Sequence, residues 1–297
     1  MGAGHLAHRA AGNLAISVGR PLAWQPIDTM KLPDSALAMK LPVSGLEVRF
    51  RAPDGNDDLA ILEVAGGPVE RALVVVPRLA RLGNGDAAPR WAGLTVTDFE
   101  VALLGLRRSL FGDRVACVFR CSSARCGERM ELEFSVAVFL EDVKPSLRRL
   151  KGIEKCDGWF GLAGPEENRV RFRLPVVEDQ VQVVGLPRAD RLLMERCIEA
   201  KNLNARELAR IERAMEAMSP LVSRPLSGTC RACGEQLRMP LHVPRLVMDE
   251  LRMSAVGVHD EIHAIAQTYH WDEATILAMP QSRRQTYAET IRRQVPL

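Results

Sequence analysis

The chain has 297 residues, enough for two domains of ordinary size that each bury a core. Its 40 lysines and arginines are interspersed with 37 acidic residues, so the net charge is only +3. This balance argues against a surface dedicated to nucleic acid, and no run of apolar residues is long enough for a membrane-spanning helix.

Seven cysteines are present, and four of them form two closely spaced pairs. The first residues lack the charged and apolar regions of an export signal, so we expect a soluble protein that is made in the cytoplasm. In that reducing compartment, closely spaced cysteines indicate metal binding rather than a disulfide framework.

Residues 1–45 are predicted to form an extended N-terminal arm. Prolines interrupt this segment too often for a long helix, at Pro21, Pro26, Pro33 and Pro42. The segment also carries apolar residues such as Trp24 and Ile27, which is unlike a solvated disordered tail. We therefore expect the arm to lie along a partner or along the body of the protein.

The first folded element predicted along the chain is a strand. Apolar and polar residues alternate over Leu46–Pro53, as in a half-buried strand that stops at the proline. The next two apolar runs, at 59–64 and 72–77, fit strands and short helices equally well. Thr97–Glu100 then has the sequence of a capping box and predicts the start of a helix.

A hairpin with a cysteine knuckle follows this helix, which is predicted to end at Gly112. Residues 115–120 and 130–134 alternate like strands on either side of a knuckle that reads Cys121-Ser-Ser-Ala-Arg-Cys126-Gly-Glu. The order of strand, knuckle and strand is typical of a zinc ribbon.

The same order of elements returns further along the chain. Val48–Pro53 and Val170–Pro175 share the sequence Val-Arg-Phe-Arg-x-Pro, and helices and a second knuckle, Cys230-Arg-Ala-Cys233-Gly-Glu, follow the second copy. We therefore predict a tandem duplication, with the first unit at 46–150 and the second at 151–242. The alternative is that a common amphipathic strand occurs twice by chance.

Four thiols are the predicted ligands of one structural zinc ion, those of Cys121, Cys126, Cys230 and Cys233. A short gap lets both thiols of a knuckle reach one ion at about 2.3 Å, and the glycine that follows accommodates the backbone bend. With one knuckle in each unit, the ion would join the two units. The wider first knuckle leaves two alternatives open: Cys117 replaces one of its thiols, or the two pairs do not meet.

Residues 243–297 are predicted to form a helical appendix with the outline of a helix-turn-helix unit. Its last helix begins near Gln281 and carries Arg283, Arg284, Arg292 and Arg293, which could contact phosphates. This gives an alternative function, a zinc-ribbon regulator that binds nucleic acid. The near-neutral charge and an aromatic content of 5% argue against that alternative.

Taken together, these elements predict an α+β fold. It consists of tandem-duplicated units of short strands plus helices, each with a zinc-ribbon-like cysteine knuckle, and the C-terminal helical appendix.

No catalytic site is predicted. His259-Asp-Glu-Ile-His263 has histidines at i and i+4, but it lacks the glutamate position of the zinc-protease helix, so we expect solvated histidines. Acidic pairs such as Asp57-Asp58 fit solvated turns, and no phosphate loop, nucleophile elbow or dinucleotide fingerprint occurs. We therefore expect neither an enzyme nor a small-molecule substrate.

The second half of the chain carries sequence features of a known family. They are Phe172-Arg-Leu-Pro175, the Cys230 knuckle, and a tail that reads Glu261-x-His-x-Ile-Ala-x-x-Tyr-x-Trp-x-Glu-x-x-Ile-Leu-x-Met-Pro-x-x-Arg-Arg-x-x-Tyr287. On these residues the chain resembles the hub-associated baseplate proteins of T-even-like contractile-tailed phages and of related contractile injection systems. The resemblance covers 170–290 well, 46–140 loosely and 1–45 not at all. Its departures are the wide first knuckle and the replacement of leucine by Ile265 and Met279.

The resemblance implies a structural, non-enzymatic component of a baseplate, or a factor in baseplate assembly. The implied partners are other baseplate or tail proteins (tube, hub and wedge), with the arm along its neighbours. The implied location is the tail or baseplate of a virion, or an injection-system particle, after synthesis in the host cytoplasm. Nucleic acid and membranes are not expected as partners.

Overall fold

The computed structural model describes residues 38–83, 90–146, 153–156, 158–162, 170–199 and 203–294. Within these ranges the protein is a mixed α and β fold, which confirms the sequence prediction at that level. Helices form most of the body, and the described strands form small antiparallel sheets. No helix in these ranges combines the length and the apolar character needed to cross a membrane.

The first sheet is antiparallel, in the order β1 (Ala38–Lys40), β2 (Glu47–Phe50) and β3 (Ala80–Leu82). The predicted alternation is confirmed, because Val48 and Phe50 are buried on the core side while Arg49 is exposed on the other. β1 and the buried Leu41 belong to the segment that the sequence assigned to the arm, so these residues are part of the folded body. Residues 1–37 of the predicted arm lie outside the described residues.

Two helices, α1 (Gly55–Glu63) and α2 (Pro68–Leu79), connect β2 to β3. They contain the two apolar runs that fitted strand and helix equally well in the sequence. Asp54 caps α1, since its side chain accepts a hydrogen bond from the Asp57 N–H. α2 begins with Pro68, whose fixed φ suits the first position of a helix.

The next helix, α3 (Val96–Phe111), is buried on nearly all sides and ends at Gly112, as predicted. Its predicted start is wrong by two residues, because the N-cap is Thr95 rather than Thr97, and the Thr95 hydroxyl accepts from the Asp98 N–H.

The residues of the predicted capping box make long-range contacts instead. Thr97 Oγ1 lies 2.7 Å from the hydroxyl of Ser219, and Glu100 accepts hydrogen bonds of 2.6 and 2.8 Å from the hydroxyl and N–H of Ser223. These side chains therefore hold the centre of the first half against the second half of the chain.

The first knuckle lies in a hairpin, as predicted, formed by β4 (Arg114–Arg120) and β5 (Arg129–Ser135). A short helix, α4 (Val136–Glu141), follows directly. The inward residues of the hairpin differ along its length. Val115 and Phe134 at its base pack into the main core, whereas Phe119 and Met130 near its tip pack around the cysteines.

The second half begins with a four-stranded antiparallel sheet in the order β6 (Ile153–Cys156), β7 (Trp159–Leu162), β8 (Arg171–Phe172) and β9 (Ile198–Glu199). The helices α5 (Val177–Val183) and α6 (Ala189–Cys197) connect β8 to β9, and α7 (Ala205–Met218) follows. The second knuckle then lies in a hairpin of β10 (Pro225–Thr229) and β11 (Gln236–Pro240). Asn204 caps α7, since its side chain accepts a hydrogen bond of 2.9 Å from the Glu207 N–H.

Four helices complete the described chain, α8 (Val243–Ala255), α9 (Val258–Tyr269), α10 (Glu273–Leu277) and α11 (Gln281–Gln294). α8 packs against α1, α2 and α3, and its buried Val247, Met248 and Leu251 belong to the main core. α9, α10 and α11 form a smaller cluster around Ile265, Ile276 and Ile291. Within the segment predicted as an appendix, α8 is thus integral to the body, and the last three helices form a compact unit of their own.

Candidate metal centre

The first knuckle is a tight turn despite its four intervening residues. The Cys121 N–H donates to the Glu128 carbonyl at 2.8 Å, and the Cys126 and Gly127 N–H groups both donate to the Ser123 carbonyl. Gly127 has a φ of +59°, a left-handed conformation that a side chain would strain. The glycine therefore allows the turn that directs both thiols to the same side.

The second knuckle has the same turn. The Cys230 N–H donates to the Glu235 carbonyl, and the Gly234 N–H donates to the Cys230 carbonyl, both at 2.8 Å. Gly234 has a φ of +75°, which matches the left-handed glycine of the first knuckle. The two extra residues of the first knuckle therefore do not change the way in which it presents its thiols.

The four predicted cysteines come together at one point. All four Sγ atoms lie within 4.8 Å of one another. The shortest separations join the two knuckles, with 3.7 Å between Cys121 and Cys233 and 3.9 Å between Cys126 and Cys230. Four sulfurs at about 2.3 Å from a tetrahedral ion would lie about 3.8 Å apart, so this group could hold one metal ion.

The thiols lie at the boundary between a small apolar cluster and solvent. Cys121 and Cys230 are buried beside Met130 and Leu237, while Cys233 is exposed. These cysteines are free thiols rather than disulfides. An ion held here would have its sulfur ligands partly shielded from water, with an open side at Cys233.

The electrostatics of the thiols favours a deprotonated Cys230. The backbone N–H groups of Cys233 and Ala232 lower the pKa of Cys230 to about 7. The pKa of Cys121 is raised, because the lowering effect of the Ser123 N–H and of the Cys233 thiol is outweighed by burial and by the thiols of Cys230 and Cys126. A cation would displace the protons of these thiols, so metal affinity should rise with pH.

The alternative ligand, Cys117, is not part of this group. It lies in β4 opposite Leu132 and packs against the main core. Burial raises the pKa of its thiol, and Glu250 raises it further. Cys197 is also a buried thiol, beside β9, and burial raises its pKa to about 11. Both behave as apolar core residues rather than as ligands.

The two hairpins that carry the knuckles belong to separate two-stranded sheets. Their facing side chains are apolar, with Phe119, Met130 and Leu132 on one hairpin and Leu226, Leu237 and Met239 on the other. A two-stranded hairpin is only marginally stable by itself in water. A metal ion bound by the four thiols would therefore link the two hairpins to each other.

A buried ion cluster that the sequence analysis missed joins the C-terminal helices to α1. The Arg284 side chain is 1% exposed, and it donates to Asp58 and, at 2.7 Å, to Glu261. The prediction that Asp57-Asp58 forms a solvated turn is therefore wrong, since both carboxylates are buried. Arg284 is likewise not available to phosphates, which corrects its role in the nucleic-acid alternative.

The histidine pair is exposed, as predicted. His259 and His263 lie on the solvent side of α9, whereas Glu261 between them faces the interior toward Arg284. Among the described residues, neither histidine joins a group that could hold a metal ion.

A second kind of ion cluster occurs in both halves of the chain, among the residues that the structure describes. Arg51 donates to both oxygens of Asp57 at 2.6 and 2.9 Å, and Arg173 does the same to Asp179 at 2.5 and 2.8 Å. A further arginine contacts each aspartate through Nε, Arg78 at 3.1 Å and Arg196 at 3.2 Å. We call each of these clusters an arginine–aspartate corner.

No family model, curated protein or solved structure matches the chain.

Proposed function

We propose that this protein is a structural, non-enzymatic component of the baseplate of a contractile phage tail or of a related injection system, or a factor in the assembly of such a baseplate. The observation that carries the proposal is the convergence of four thiols from hairpins more than a hundred positions apart, at 104 and 112 for the closest pairs. A site of this kind holds parts of a fold together rather than binding a substrate. The kind of assembly, a baseplate, is proposed from the resemblance of the tail to baseplate proteins.

The chain is, in this proposal, a tandem duplication. The two arginine–aspartate corners support it, because Arg51 and Asp57 precede Arg173 and Asp179 by the same 122 positions. Strand pairing supports it as well: Phe50 lies opposite Ala80 in the first sheet, and Phe172 lies opposite Ile198 in the second. In each half a corner is followed by two helices, a strand, a helix and a knuckle hairpin.

The proposed ion is zinc. Four cysteine sulfurs in near-tetrahedral positions are the ligand set of structural zinc sites, and zinc has no redox chemistry that would oxidise the thiols. An ion shared between Cys121, Cys126, Cys230 and Cys233 would close a long loop of chain. Such a link restricts the unfolded chain strongly, and it would keep the two units in one orientation inside an assembly.

The tail residues that resemble baseplate proteins have structural roles in this fold. Tyr269 stacks on Trp271 with ring centroids 5.2 Å apart, and Tyr287 meets Trp271 edge to face at 5.4 Å. Glu261 and Arg284, also in the tail pattern, form the buried cluster with Asp58. These contacts supply a reason for the pattern that requires no catalysis: the residues build a helical unit and dock it on the first half.

The proposed partners are other baseplate or tail proteins, namely tube, hub and wedge components, and the proposed location is the tail or injection particle. The test is sedimentation of particles from cells that carry the gene, followed by detection of this chain in each fraction. We expect it in the fast fractions together with sheath and tube proteins.

An assembly factor gives a different result from a permanent component. It would be missing from finished particles, yet its deletion would abolish them. Normal particles after deletion, with the chain in slow fractions only, would contradict both forms of the proposal. Salt-dependent co-sedimentation with nucleic acid in those slow fractions would support the regulator instead.

A further inference from the structure

A cleft of about 570 Å³ opens over the first sheet, between β2, β3 and the end of α2. Four arginines line it, Arg49, Arg51, Arg78 and Arg81, together with Phe50, Leu79, Ala80 and Gly83. Its volume is in the range of small-ligand sites in proteins, about 300–1,000 Å³. We call it the arginine cleft.

Two of these arginines oppose each other directly. Arg49 of β2 and Arg81 of β3 are cross-strand partners, and their neighbours Phe50 and Ala80 point to the core. Both guanidinium groups therefore leave the sheet on its outer face. Like charges in directly opposite positions destabilise a sheet, so this pair lowers the stability of the unliganded protein.

The carboxylates around the cleft compensate only part of this charge. Glu47 accepts from Nε of Arg49 at 2.7 Å, with both side chains about half exposed. Asp57 is used by Arg51 and Arg78 in the first corner. Among the described residues Arg81 forms no ion pair, and its side chain is exposed. Within the described part of the chain, the outer face of the sheet thus presents more positive than negative charge.

The second half shows the same position without the excess charge. Arg171 lies opposite Glu199 in the register that places Arg49 opposite Arg81, and the two side chains form an ion pair of 3.3 Å. Arg171 also lies over the ring of Trp159. The opposed arginines are therefore a feature of the first sheet rather than of this strand pairing in general.

We propose that the arginine cleft binds a phosphate group of an anionic ligand, held between Arg49 and Arg81. A carboxylate brings a single negative charge, and those beside the cleft are already engaged, Glu47 by Arg49 and Asp57 by Arg51 and Arg78. A phosphate monoester carries close to two negative charges and three acceptor oxygens, so it can bridge two forks and relieve their repulsion. This inference goes beyond the proposed structural function and does not depend on the metal site.

The test is calorimetric titration of the full chain with inorganic tripolyphosphate at low salt, comparing the wild type with Arg81→Glu. The substitution places a carboxylate opposite Arg49, as Glu199 lies opposite Arg171, and we expect it to weaken binding by about tenfold or more. Thermal unfolding should show a variant at least as stable as the wild type, since a repulsive pair becomes an attractive one. If that variant does not fold, Arg81→Gln serves instead.

The matched control is Arg191→Glu on α6. Arg191 is exposed, pairs only with Glu195 at i+4 among the described residues, and carries the same charge change. We expect its affinity for tripolyphosphate to equal that of the wild type. No binding by the wild type, equal binding by Arg81→Glu, or equal weakening by Arg191→Glu would overturn the proposal.

A competition experiment identifies the source of the phosphate. A single-stranded oligonucleotide of about 10 nucleotides, a typical length for one binding groove, is added to the tripolyphosphate complex. Displacement that depends on Arg81 would show that a singly charged phosphodiester suffices, and it would identify backbone phosphate as the ligand. Retention of tripolyphosphate identifies a small phosphorylated molecule.

Discussion

The two arginine–aspartate corners share their geometry and differ in their surroundings. Asp57 is followed by Asp58, which binds Arg284 of the C-terminal helices, whereas the residue after Asp179 is Gln180. On the adjoining strand, Arg81 occupies the position that Glu199 occupies in the second half. Beside its corner, the first half thus carries an aspartate that binds the C-terminal helices and an arginine that faces the cleft, whereas Gln180 and Glu199 occupy the matching positions in the second half.

The cores that support the two corners also differ. The first sheet packs on the main core, which contains α3 and the inner face of α8. The second sheet packs on a smaller cluster around Phe172, Cys197 and Ile211. The corner is therefore a local arrangement that forms on two different hydrophobic cores. The differences between the halves lie next to the corner, at Asp58 and Gln180 in the helix and at Arg81 and Glu199 on the adjoining strand.

The largest expected effect comes from breaking the link between the halves. Cys121→Ser should remove the metal and lower the free energy of unfolding by several kcal/mol, a part of the about 10 kcal/mol or more that zinc contributes in zinc-finger peptides. Amide hydrogen exchange should become faster in both hairpins, β4–β5 and β10–β11. Cys117→Ser is the control, and this variant should keep both the metal ion and the slow amide exchange of the two hairpins. Exchange that increases in the first hairpin alone would show that the hairpins are not linked.

The next effect concerns the buried contact between Asp58 and Arg284, at a position that Gln180 occupies beside the second corner. Arg284→Met leaves the carboxylates of Asp58 and Glu261 buried without their cation, which should cost about 3–5 kcal/mol in chemical unfolding. Arg283→Met, at an exposed neighbour that lies over the ring of Tyr287, should cost about 0.5 kcal/mol or less. Equal effects of the two substitutions would mean that the buried cluster does not hold the last helices.

A third experiment compares the two corners directly. Asp57→Ala and Asp179→Ala each remove a carboxylate that accepts from the backbone N–H of the helix N-cap and from two arginines, so each should cost about 2–3 kcal/mol. Because the contacts match, we expect the two losses in urea unfolding to agree within about 1 kcal/mol. If only one substitution lowered the free energy of unfolding, the two corners would not contribute equally to stability despite their matching geometry.

The smallest effect is a pH dependence that has opposite signs at two neighbouring residues. Burial alone would raise the pKa of Asp57, but hydrogen bonds from Arg51, the Asp54 N–H and Arg78 outweigh this effect. The pKa of Asp57 therefore lies below its ordinary value. Burial raises the pKa of Asp58 to about 7, against the lowering effect of Arg284. Stability from Asp57 is therefore lost as the pH falls below about 4, and stability from Asp58 is lost as the pH rises from about 4 to about 7.

Asp58→Asn isolates the second dependence, since an amide stays neutral throughout. The melting temperature of the variant relative to the wild type should rise between pH 4 and pH 7, measured as a difference so that other titrating groups cancel. A difference that stays constant over this range would show that Asp58 is not protonated in the folded protein. Asp57→Asn should lack this rise, because the pKa of Asp57 is lowered rather than raised.

Local patterns in the sequence predicted much of this structure. The Val-Arg-Phe-Arg-x-Pro strands, the two knuckles and the C-terminal end of α3 follow from alternation and glycine positions. The two apolar runs could not be assigned from periodicity, because short buried segments fit helix and strand alike. They became α1 and α2 because each packs against α8, which comes much later in the chain.

The features that the sequence did not reveal depend on partners far along the chain. Thr97 and Glu100 look like a capping box, but they contact residues 122 and 123 positions away. Asp58 looks like half of a solvated acidic pair, and its partner Arg284 lies 226 positions away. A charged residue next to a helix start gives no sign of such a partner, so these contacts could be recognised only in the folded protein.

The central claim is that Cys121, Cys126, Cys230 and Cys233 hold one zinc ion between the two halves. It is tested most directly by elemental analysis of the purified chain, wild type beside Cys230→Ser, prepared without chelators. We expect one zinc ion per wild-type chain and almost none in the variant, since three thiols with an open position bind structural zinc far more weakly. A zinc content near zero in both proteins, or an equal content in both, would contradict the claim.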